Sequence, residues 1–174
     1  GLNLCTTTER REIPAADSGG GNIRALYQDS RGRIWIAGSR GVSVFADGQF
    51  EVHVPPQGVS LGRIGCFAED PRQGAIWAAG SEGLYQFADG QWREIRDATG
   101  GPVKDVLCLR VEANGSVWIG RAGVGLLRLK DGQWSAITEG HGLPTRNISC
   151  ILEDDLGYWW FGSNRGVLRV LGED

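Results

Sequence analysis

Arg33-Ile34-Trp35-Ile36-Ala37-Gly38-Ser39-Arg40-Gly41-Val42 is the stretch that decides the fold, because the chain repeats it. The pattern of apolar residue, tryptophan, apolar residue and glycine returns over residues 75–84, 116–120 and 158–167. The aligned tryptophans are Trp35, Trp77, Trp118 and Trp160, and they are spaced 42, 41 and 42 residues apart. A fixed period of this length is typical of propellers and solenoids.

Turn residues divide each repeat into several short segments. Asp47-Gly48, Asp89-Gly90 and Asp131-Gly132 are strong signals for two-residue hairpins. Four short strands joined by hairpins in each repeat predict the blade of a β-propeller. The predicted strands cover residues 22–28, 33–38, 42–46 and 49–54, then 63–69, 75–80, 83–88 and 91–96, then 105–111, 116–121, 124–130 and 133–138, with three more between 147 and 171.

The fold class predicted from this pattern is all-β, a partial or oligomer-completed propeller of about four blades in a single unit over residues 1–174. Residues 1–13 align with the outer half of a repeat, and residues 14–21 and 55–58 are predicted loops. The predicted blades occupy residues 22–54, 63–96 and 105–138, and residues 147–171 form the inner strands of the last blade.

Closure of the ring has three alternatives at this point. The two ends overlap by one strand, because residues 1–4 and 166–169 are equivalent in the repeat. The chain is a piece of a larger propeller, a closed ring of four blades, or half of a ring completed by a second copy. An open ring exposes apolar blade faces and strand edges, which favours self-association or the remainder of a larger propeller.

Composition limits the classes of function. The chain has 174 residues, 22% of them charged, with a net charge of −3 and no basic run, which argues against nucleic-acid binding. No apolar stretch approaches the roughly 18 residues that a membrane-spanning helix needs. The first residues lack a signal-peptide pattern, and the absence of Met at position 1 favours a chain trimmed from a longer one.

Residues 141–154, His-Gly-Leu-Pro-Thr-Arg-Asn-Ile-Ser-Cys-Ile-Leu-Glu-Asp, and the following Gly157-Tyr158-Trp159-Trp160-Phe161-Gly162-Ser163 resemble the two-component regulator propeller repeat. This resemblance extends over nearly the whole chain. It implies a periplasmic or extracytoplasmic sensor region of a bacterial membrane receptor, often a hybrid histidine kinase. Propellers of this family usually have seven blades, and many sense products of carbohydrate breakdown.

The loops before the first strands and between the second and third strands should meet at the mouth of the central channel. Several cations fall on these loops, and guanidinium groups suit carboxylates, sulfates and phosphates. A solvated loop face of mixed charge is the alternative. The candidate ligand-binding residues are Arg40, Arg63, Glu82, Lys104, Arg121, Arg146, Asn164 and Arg165.

Other chemically notable residues favour structural roles. The four tryptophans should pack between blades, and the turn residues Asp29, Asp70, Asp154 and Asp155 do not form a calcium loop. The two histidines, His53 and His141, lie far apart in the repeat pattern and suggest no catalytic pair. The cysteines, Cys5, Cys66, Cys108 and Cys150, are expected to be small buried residues without disulfide or metal chemistry. We therefore predict no catalytic residue, no metal and no cofactor.

Three functional hypotheses follow. The first is a non-enzymatic ligand-sensing module of a bacterial signalling receptor, with a ligand such as an anionic carbohydrate at the Arg-rich mouth. The second is a structural or protein-interaction propeller fragment that assembles into a full ring without a small ligand. The third, a propeller lyase or hydrolase, would require a convergent acid–base pair, and the spacing of the sequence offers none.

Overall fold

The computed structural model describes residues 2–5, 7–14, 22–53, 61 and 63–171. Several sequence predictions lie outside these residues. They are the loop at 55–58, most of the loop at 14–21, the terminal residue Gly1 of the half-blade and Val54 at the end of its predicted strand.

The described chain consists of short strands and confirms the all-β prediction. Most strands begin or end within two residues of their predicted limits, although the strand predicted from residue 22 begins at Ala25. The strands are β1 (Leu2–Cys5), β2 (Arg10–Ile13), β3 (Ala25–Gln28), β4 (Ile34–Gly38), β5 (Gly41–Ala46), β6 (Gln49–His53), β7 (Ile64–Glu69), β8 (Ile76–Gly80), β9 (Leu84–Ala88), β10 (Gln91–Ile95), β11 (Val106–Val111), β12 (Val117–Arg121), β13 (Gly125–Lys130), β14 (Gln133–Ile137), β15 (Ile148–Glu153), β16 (Tyr158–Ser163) and β17 (Gly166–Leu171).

The strands form separate antiparallel sheets in which every paired strand is adjacent in sequence. Blade 1 contains β3–β6, blade 2 contains β7–β10, and blade 3 contains β11–β14. Among the described residues, blade 4 contains β15–β17, and β1 pairs with β2 in a two-stranded sheet. The first strands of neighbouring blades contact each other, as expected for the inner strands of a propeller.

The Asp-Gly pairs form the predicted hairpin turns between the third and fourth strands. Asp47, Asp89 and Asp131 have φ values of 52°, 51° and 49°, and the glycine that follows each has φ between 76° and 79°. Positive φ at both central residues is the signature of a type I′ turn, whose twist matches that of the flanking strands. This turn therefore sets the register of the outer two strands in each complete blade.

One short helical element in the described chain was not predicted from the sequence. Residues Glu139–His141 form one 3-10 turn, which Thr138 precedes in a capping box and Gly142 ends in the left-handed conformation at φ 93°. This turn joins blade 3 to blade 4. The helical structure in the described part of the chain is far too short to cross a lipid bilayer.

The core lies between the blades, where Trp35, Trp77 and Trp118 of the second strands pack against the next blade. Trp35 and Trp77 are buried, whereas Trp118 and Trp160 are half-buried. The first core joins Trp35 and Val44 of blade 1 to Phe67, Ile76 and other residues of blade 2. Similar cores join blades 2 and 3 and blades 3 and 4. Inter-blade packing was the expected role of these tryptophans.

The cysteine prediction is only half right. Cys108 is buried and Cys66 is half-buried, but Cys5 and Cys150 are exposed. Cys66, Cys108 and Cys150 each follow a bulge in a first strand, and Ala25 occupies the same register position in blade 1. Cys150 is exposed because it lies on the last blade, which has no blade beyond it in the described structure.

The ring is open in the described residues, because no strand pairing joins blade 4 to the β1–β2 hairpin or to blade 1. Apolar residues that are buried inside the array are exposed at its ends. Leu26 on blade 1 is 56% exposed, although the equivalent Phe67 is buried. Leu152 and Val167 on blade 4 are 58% and 69% exposed, although Leu84 and Leu126, the counterparts of Val167, are buried.

Candidate functional site

The eight candidate ligand-binding residues lie at one end of the blades. Antiparallel strands return to the same end after every second turn, so loops before first strands and loops between second and third strands share that end. Arg63, Lys104 and Arg146 precede β7, β11 and β15. The other five lie at the junctions between second and third strands: Arg40, Glu82, Arg121, Asn164 and Arg165.

Contacts bring some of these residues together across neighbouring loops. The Arg121 Nε donates to the Lys104 carbonyl oxygen at 2.7 Å. An Arg165 guanidinium nitrogen lies 3.4 Å from the Pro144 carbonyl oxygen, and the Asn164 side-chain oxygen accepts from the Thr145 hydroxyl at 3.1 Å. The mouth therefore has two local clusters, one between blades 2 and 3 and one on blade 4.

Glu139 also lies at this end of the blades, and the sequence analysis did not identify it. Its carboxylate accepts a hydrogen bond from the Arg146 Nε at 3.0 Å, so Arg146 is already paired with an anion. Glu139 lies in the unpredicted 3-10 turn, seven residues before Arg146, and the repeat pattern gave no signal of this pair.

Three of the cations retain free charged groups. Arg40, Arg63 and Lys104 are exposed, and their side chains make no hydrogen bond or ion pair with the described part of the chain. Nothing in the structure brings Arg40 into contact with the other candidate residues. These three groups can form charge-assisted hydrogen bonds to an anion without first breaking an internal pair.

A cavity between blades 1 and 2 lies at the opposite end of the blades. It has a volume of about 940 Å³ between blades 1 and 2, and the turns around Arg31 and Gly74 and around Asp47 and Asp89 line it. Similar grooves of about 420 Å³ and 620 Å³ separate blades 2 and 3 and blades 3 and 4. None of these three cavities is lined by any of the eight candidate residues.

Aromatic rings form one wall of the blade 1–blade 2 cavity. The His53 ring packs edge-on against Phe87 at a centroid distance of 4.8 Å and lies 5.3 Å from Trp35. Burial lowers the pKa of His53, an effect that Glu51 opposes and Arg33 reinforces. His53 therefore packs among aromatic rings, and no carboxylate bonds to its ring in the described structure.

The turn aspartates bind tryptophan side chains. The Trp35 Nε1 donates to Asp29 at 2.9 Å, and the Trp160 Nε1 donates to Asp154 at 2.8 Å. The Trp118 Nε1 makes the same bond to Glu112 at 2.7 Å. Burial of the Asp29 carboxylate opposes its ionisation, but hydrogen bonds from Trp35 and Arg33 outweigh burial and lower its pKa. These carboxylates therefore fasten a turn to the neighbouring strand.

Blade 2 is the exception among these turns. Its turn from Asp70 to Trp77 is one residue longer than the others, and Asp70 pairs with Arg72 at 2.9 Å. The buried Trp77 Nε1 consequently has no hydrogen-bond partner. Sequence reasoning identified Asp70 as a turn residue but did not predict this change of partner.

Cys66, Cys108 and His141 are further candidate nucleophiles whose surroundings the structure defines. Burial raises the pKa of Cys66 and of Cys108 to about 12, so both thiols stay protonated at neutral pH and are poor nucleophiles. The His141 Nδ1 lies 3.2 Å from the Thr138 backbone nitrogen in the capping box of the 3-10 turn. No group of three or more His, Cys, Asp or Glu side chains suited to a metal occurs in the described part of the chain.

Comparison with known families confirms the resemblance seen in the sequence. A family model described as the two component regulator propeller matches residues 17–40 and 142–165. The matches cover the Trp35 stretch and the stretch around Trp160. These two segments therefore match the two component regulator propeller repeat.

Solved structures confirm the propeller fold. The chain is similar to the extracellular domain of BT4673 from B. thetaiotaomicron, described as a one component system, at a TM-score of 0.76 and 18% identity over 92% of this chain and 23% of that one. It is similar to the extracellular domain of the hybrid two component system BT3049 from the same organism, at a TM-score of 0.73 and 21% identity over 95% and 24% of the two chains. The chain thus spans about a quarter of these relatives.

A propeller enzyme has the same architecture. Virginiamycin B lyase from Staphylococcus aureus is similar at a TM-score of 0.66 and 15% identity, over 94% of this chain and 59% of the lyase. At such identities the likeness concerns the fold alone. No curated protein matches the chain in a sequence search.

Proposed function

We propose that this chain is a non-enzymatic ligand-sensing propeller module of an extracytoplasmic bacterial receptor. The ligand is anionic, with an acidic carbohydrate as the class that fits best, and it binds at the Arg-rich end of the blades. The observation that carries the proposal is the set of exposed cations Arg40, Arg63 and Lys104, which have no internal partner among the described residues. Arg40 lies in the first of the two segments that match the two component regulator propeller model.

Charge distribution supports this choice of ligand. The chain is net acidic at −3, yet six of the eight candidate residues are cations. Arginine side chains bind carboxylates and sulfates through paired hydrogen bonds, and exposed ones reach a ligand without reorganising the core. The similarity to extracellular domains supports an extracytoplasmic location.

The absence of catalysis is part of the proposal. Both histidines are engaged in packing or capping, and the buried cysteines have raised pKa values. A propeller can serve as the frame of an enzyme, as the lyase illustrates, but that requires groups placed to transfer a proton at the reacting bond.

Calorimetric titration tests the proposal with an oligogalacturonate, which is a carboxylated oligosaccharide, and with a neutral galactose oligosaccharide of equal length. We expect the carboxylated ligand to bind and its affinity to fall with added salt. The double variant Arg40→Gln/Arg165→Gln should weaken binding by at least about 100-fold, because two charge-assisted contacts are lost.

A matched control removes two positive charges from the other end. The double variant Arg31→Gln/Lys130→Gln should retain the affinity of the unmodified chain, because both residues lie near turns on the far side of the blades. Equal loss of affinity in both double variants would mean that net charge governs binding. Unchanged affinity in the Arg40/Arg165 variant would refute the assignment of the site.

The exposed apolar residues at the two open ends favour a second candidate function. Leu26, Leu152 and Val167 are each more than half exposed at positions whose counterparts pack between blades. A propeller segment with such ends serves as an interaction scaffold that assembles into a larger ring. Failure of every anionic oligosaccharide to bind, together with stable self-association, would favour this function.

A further inference from the structure

The gap between blades 2 and 3 contains a buried hydrogen-bond donor without an acceptor. The gap holds a cavity of about 420 Å³, and Trp77 is one of the residues that line it. Trp77 is only 5% exposed, and its Nε1 has no hydrogen-bond partner among the described residues. Both blades that enclose the gap have four strands. Because buried polar groups in proteins are nearly always paired, this donor marks the gap as a place for an acceptor.

The repeat pattern shows which kind of acceptor this donor is suited to. In the other three repeats the equivalent indole Nε1 donates to a carboxylate at 2.7–2.9 Å: Trp35 to Asp29, Trp118 to Glu112 and Trp160 to Asp154. In blade 2, both oxygens of the Asp70 carboxylate instead accept from Arg72, at 3.1 Å and 2.9 Å. The donor of blade 2 is therefore suited to a carboxylate that comes from outside the chain.

Arg93 supplies a positive charge in the same cavity. Its Nε donates to the Gln86 side-chain oxygen at 2.7 Å, so Gln86 uses this oxygen for Arg93 and not for the indole. Gln86 is the register partner of both Trp77 and Arg93, and the three side chains share the face of blade 2 that meets blade 3. A guanidinium group and an indole N–H on one face can bind the two oxygens of one carboxylate.

The other charged groups that line the cavity already have partners. Arg72 pairs with Asp70, and Arg96 pairs with Glu94. Asp131, on a turn of blade 3, interacts electrostatically with Arg72. By contrast, Arg93 makes no ion pair with the described part of the chain, so its charge is available to an anion.

Apolar side chains form the rest of the cavity wall. Ile95 of blade 2 and Val117, Leu129 and Trp134 of blade 3 line it. Ligand pockets in proteins have volumes of roughly 300–1,000 Å³, and this cavity lies near the lower limit. Its size therefore suits a single ring and not an oligosaccharide, and its walls suit an apolar ring.

We propose that the gap between blades 2 and 3 binds a small aromatic carboxylate. One carboxylate oxygen accepts from the Trp77 Nε1 and the other from the Arg93 guanidinium group. The aromatic ring of the ligand packs against Leu129 and Trp134. The site lies at the end of the blades opposite the Arg-rich end, and this inference does not depend on the ligand proposed there.

The test uses phenylacetate and observes the indole N–H groups in nitrogen–proton correlation spectra of the isotopically labelled full chain. The Trp77 signal is identified by its disappearance in Trp77→Phe. Phenylacetate should shift this signal in a saturable way, because the indole gains a charged acceptor. Phenylacetamide has the same shape without the charge and should bind at least about 10-fold more weakly. A Trp77 signal that does not respond to phenylacetate, or that responds equally to both compounds, would overturn the proposal.

Two arginine variants locate the charge that binds the ligand. Arg93→Gln should raise the phenylacetate concentration at half-saturation by about 10-fold or more, because one charge-assisted contact is lost. Arg10→Gln is the matched control, since Arg10 is also exposed and donates its Nε to a neighbouring amide oxygen, that of Asn3, at 3.2 Å. It does not line the cavity, and its removal should leave the titration unchanged.

The two variants also separate the site from a general effect of charge or of folding. Both arginines are exposed, so the indole signals of both variants should stay dispersed as in the unmodified chain. Equal weakening in the two variants would mean that net charge governs binding, and the proposed site would be wrong. An unchanged titration in Arg93→Gln would likewise refute the site.

Discussion

The tryptophan of each repeat has an indole Nε1 that needs a hydrogen-bond acceptor, and the rings of Trp35, Trp77 and Trp118 also pack in the inter-blade cores. Asp29, Glu112 and Asp154 provide that acceptor in blades 1, 3 and 4. The acidic residue begins the turn that follows the first strand, and the second carboxylate oxygen of Asp29 and of Asp154 accepts a backbone hydrogen bond from that turn. Loss of the acceptor therefore loosens a turn and leaves a polar atom unpaired.

Blade 2 provides an internal control for the energy of this bond. Trp35→Phe removes an Nε1 that is bonded to a buried carboxylate, whereas Trp77→Phe removes one with no partner. Both substitutions remove similar apolar volume. We expect Trp35→Phe to lower the free energy of unfolding by about 1–3 kcal/mol more than Trp77→Phe does, as for other charge-assisted bonds. Urea unfolding followed by circular dichroism measures the difference, and equal losses would contradict it.

The sequence predicted that the aspartates belong to turns, but it could not assign their partners. Asp29 and Asp70 look alike in the repeat, and only the extra residue after Asp70 turns its carboxylate toward Arg72. The Glu139–Arg146 pair was likewise missed, because it depends on a 3-10 turn with no periodic signal. Residue-level partners depend on loop geometry that a repeat pattern does not encode.

Strand β6 ends in His53, and the charge of this residue should affect packing between blades. His53 lies among Trp35, Phe87 and Trp92 of the first inter-blade core. Burial lowers its pKa, although Glu51 works against this effect and Arg33 with it. Folding therefore favours the neutral ring, because the pKa of His53 lies below the value of about 6.5 that an unperturbed histidine has.

The sign of the pH dependence follows from that lowered pKa. The contribution of His53 to stability is complete above the unfolded pKa of about 6.5 and is lost as the pH falls through the lower folded pKa. Thermal unfolding between about pH 8 and pH 5 should show a decline that is shallower in His53→Phe than in the unmodified chain. Identical slopes for the two proteins would show that His53 does not couple protonation to folding.

The strands were predicted most accurately, because residues close to each strand in the sequence set its limits. Asp-Gly hairpins and the tryptophan strand recur with nearly fixed spacing, so each strand is bounded by residues that enforce a turn. The first strand of blade 1 was predicted three residues too long at its start, because alternation of apolar residues continues into the loop. The fold class follows from the period, whereas the choice of eight mouth residues rests on topology and stays a prediction.

At the scale of the whole molecule, the described array of blades has two exposed apolar faces, one marked by Leu26 and the other by Leu152. Their counterparts inside the array are covered by a neighbouring blade, so we expect the isolated chain to self-associate through these faces. Light scattering on a sizing column should give a mass that rises with concentration, and Leu152→Glu should suppress the rise. Leu156→Glu is the control, because Leu156 is 74% exposed on a turn and not on a blade face. A monomer at all concentrations would refute this expectation.

All strand pairings in the described residues join neighbours in the chain, and each inter-blade core joins one blade to the next. A gene encoding such a protein can gain or lose one repeat by duplication or deletion without separating any paired strands. The new blade meets the same type of tryptophan-bearing face that its predecessor met. Blade number is therefore a property that can change in single genetic events, while the packing at each seam is inherited intact.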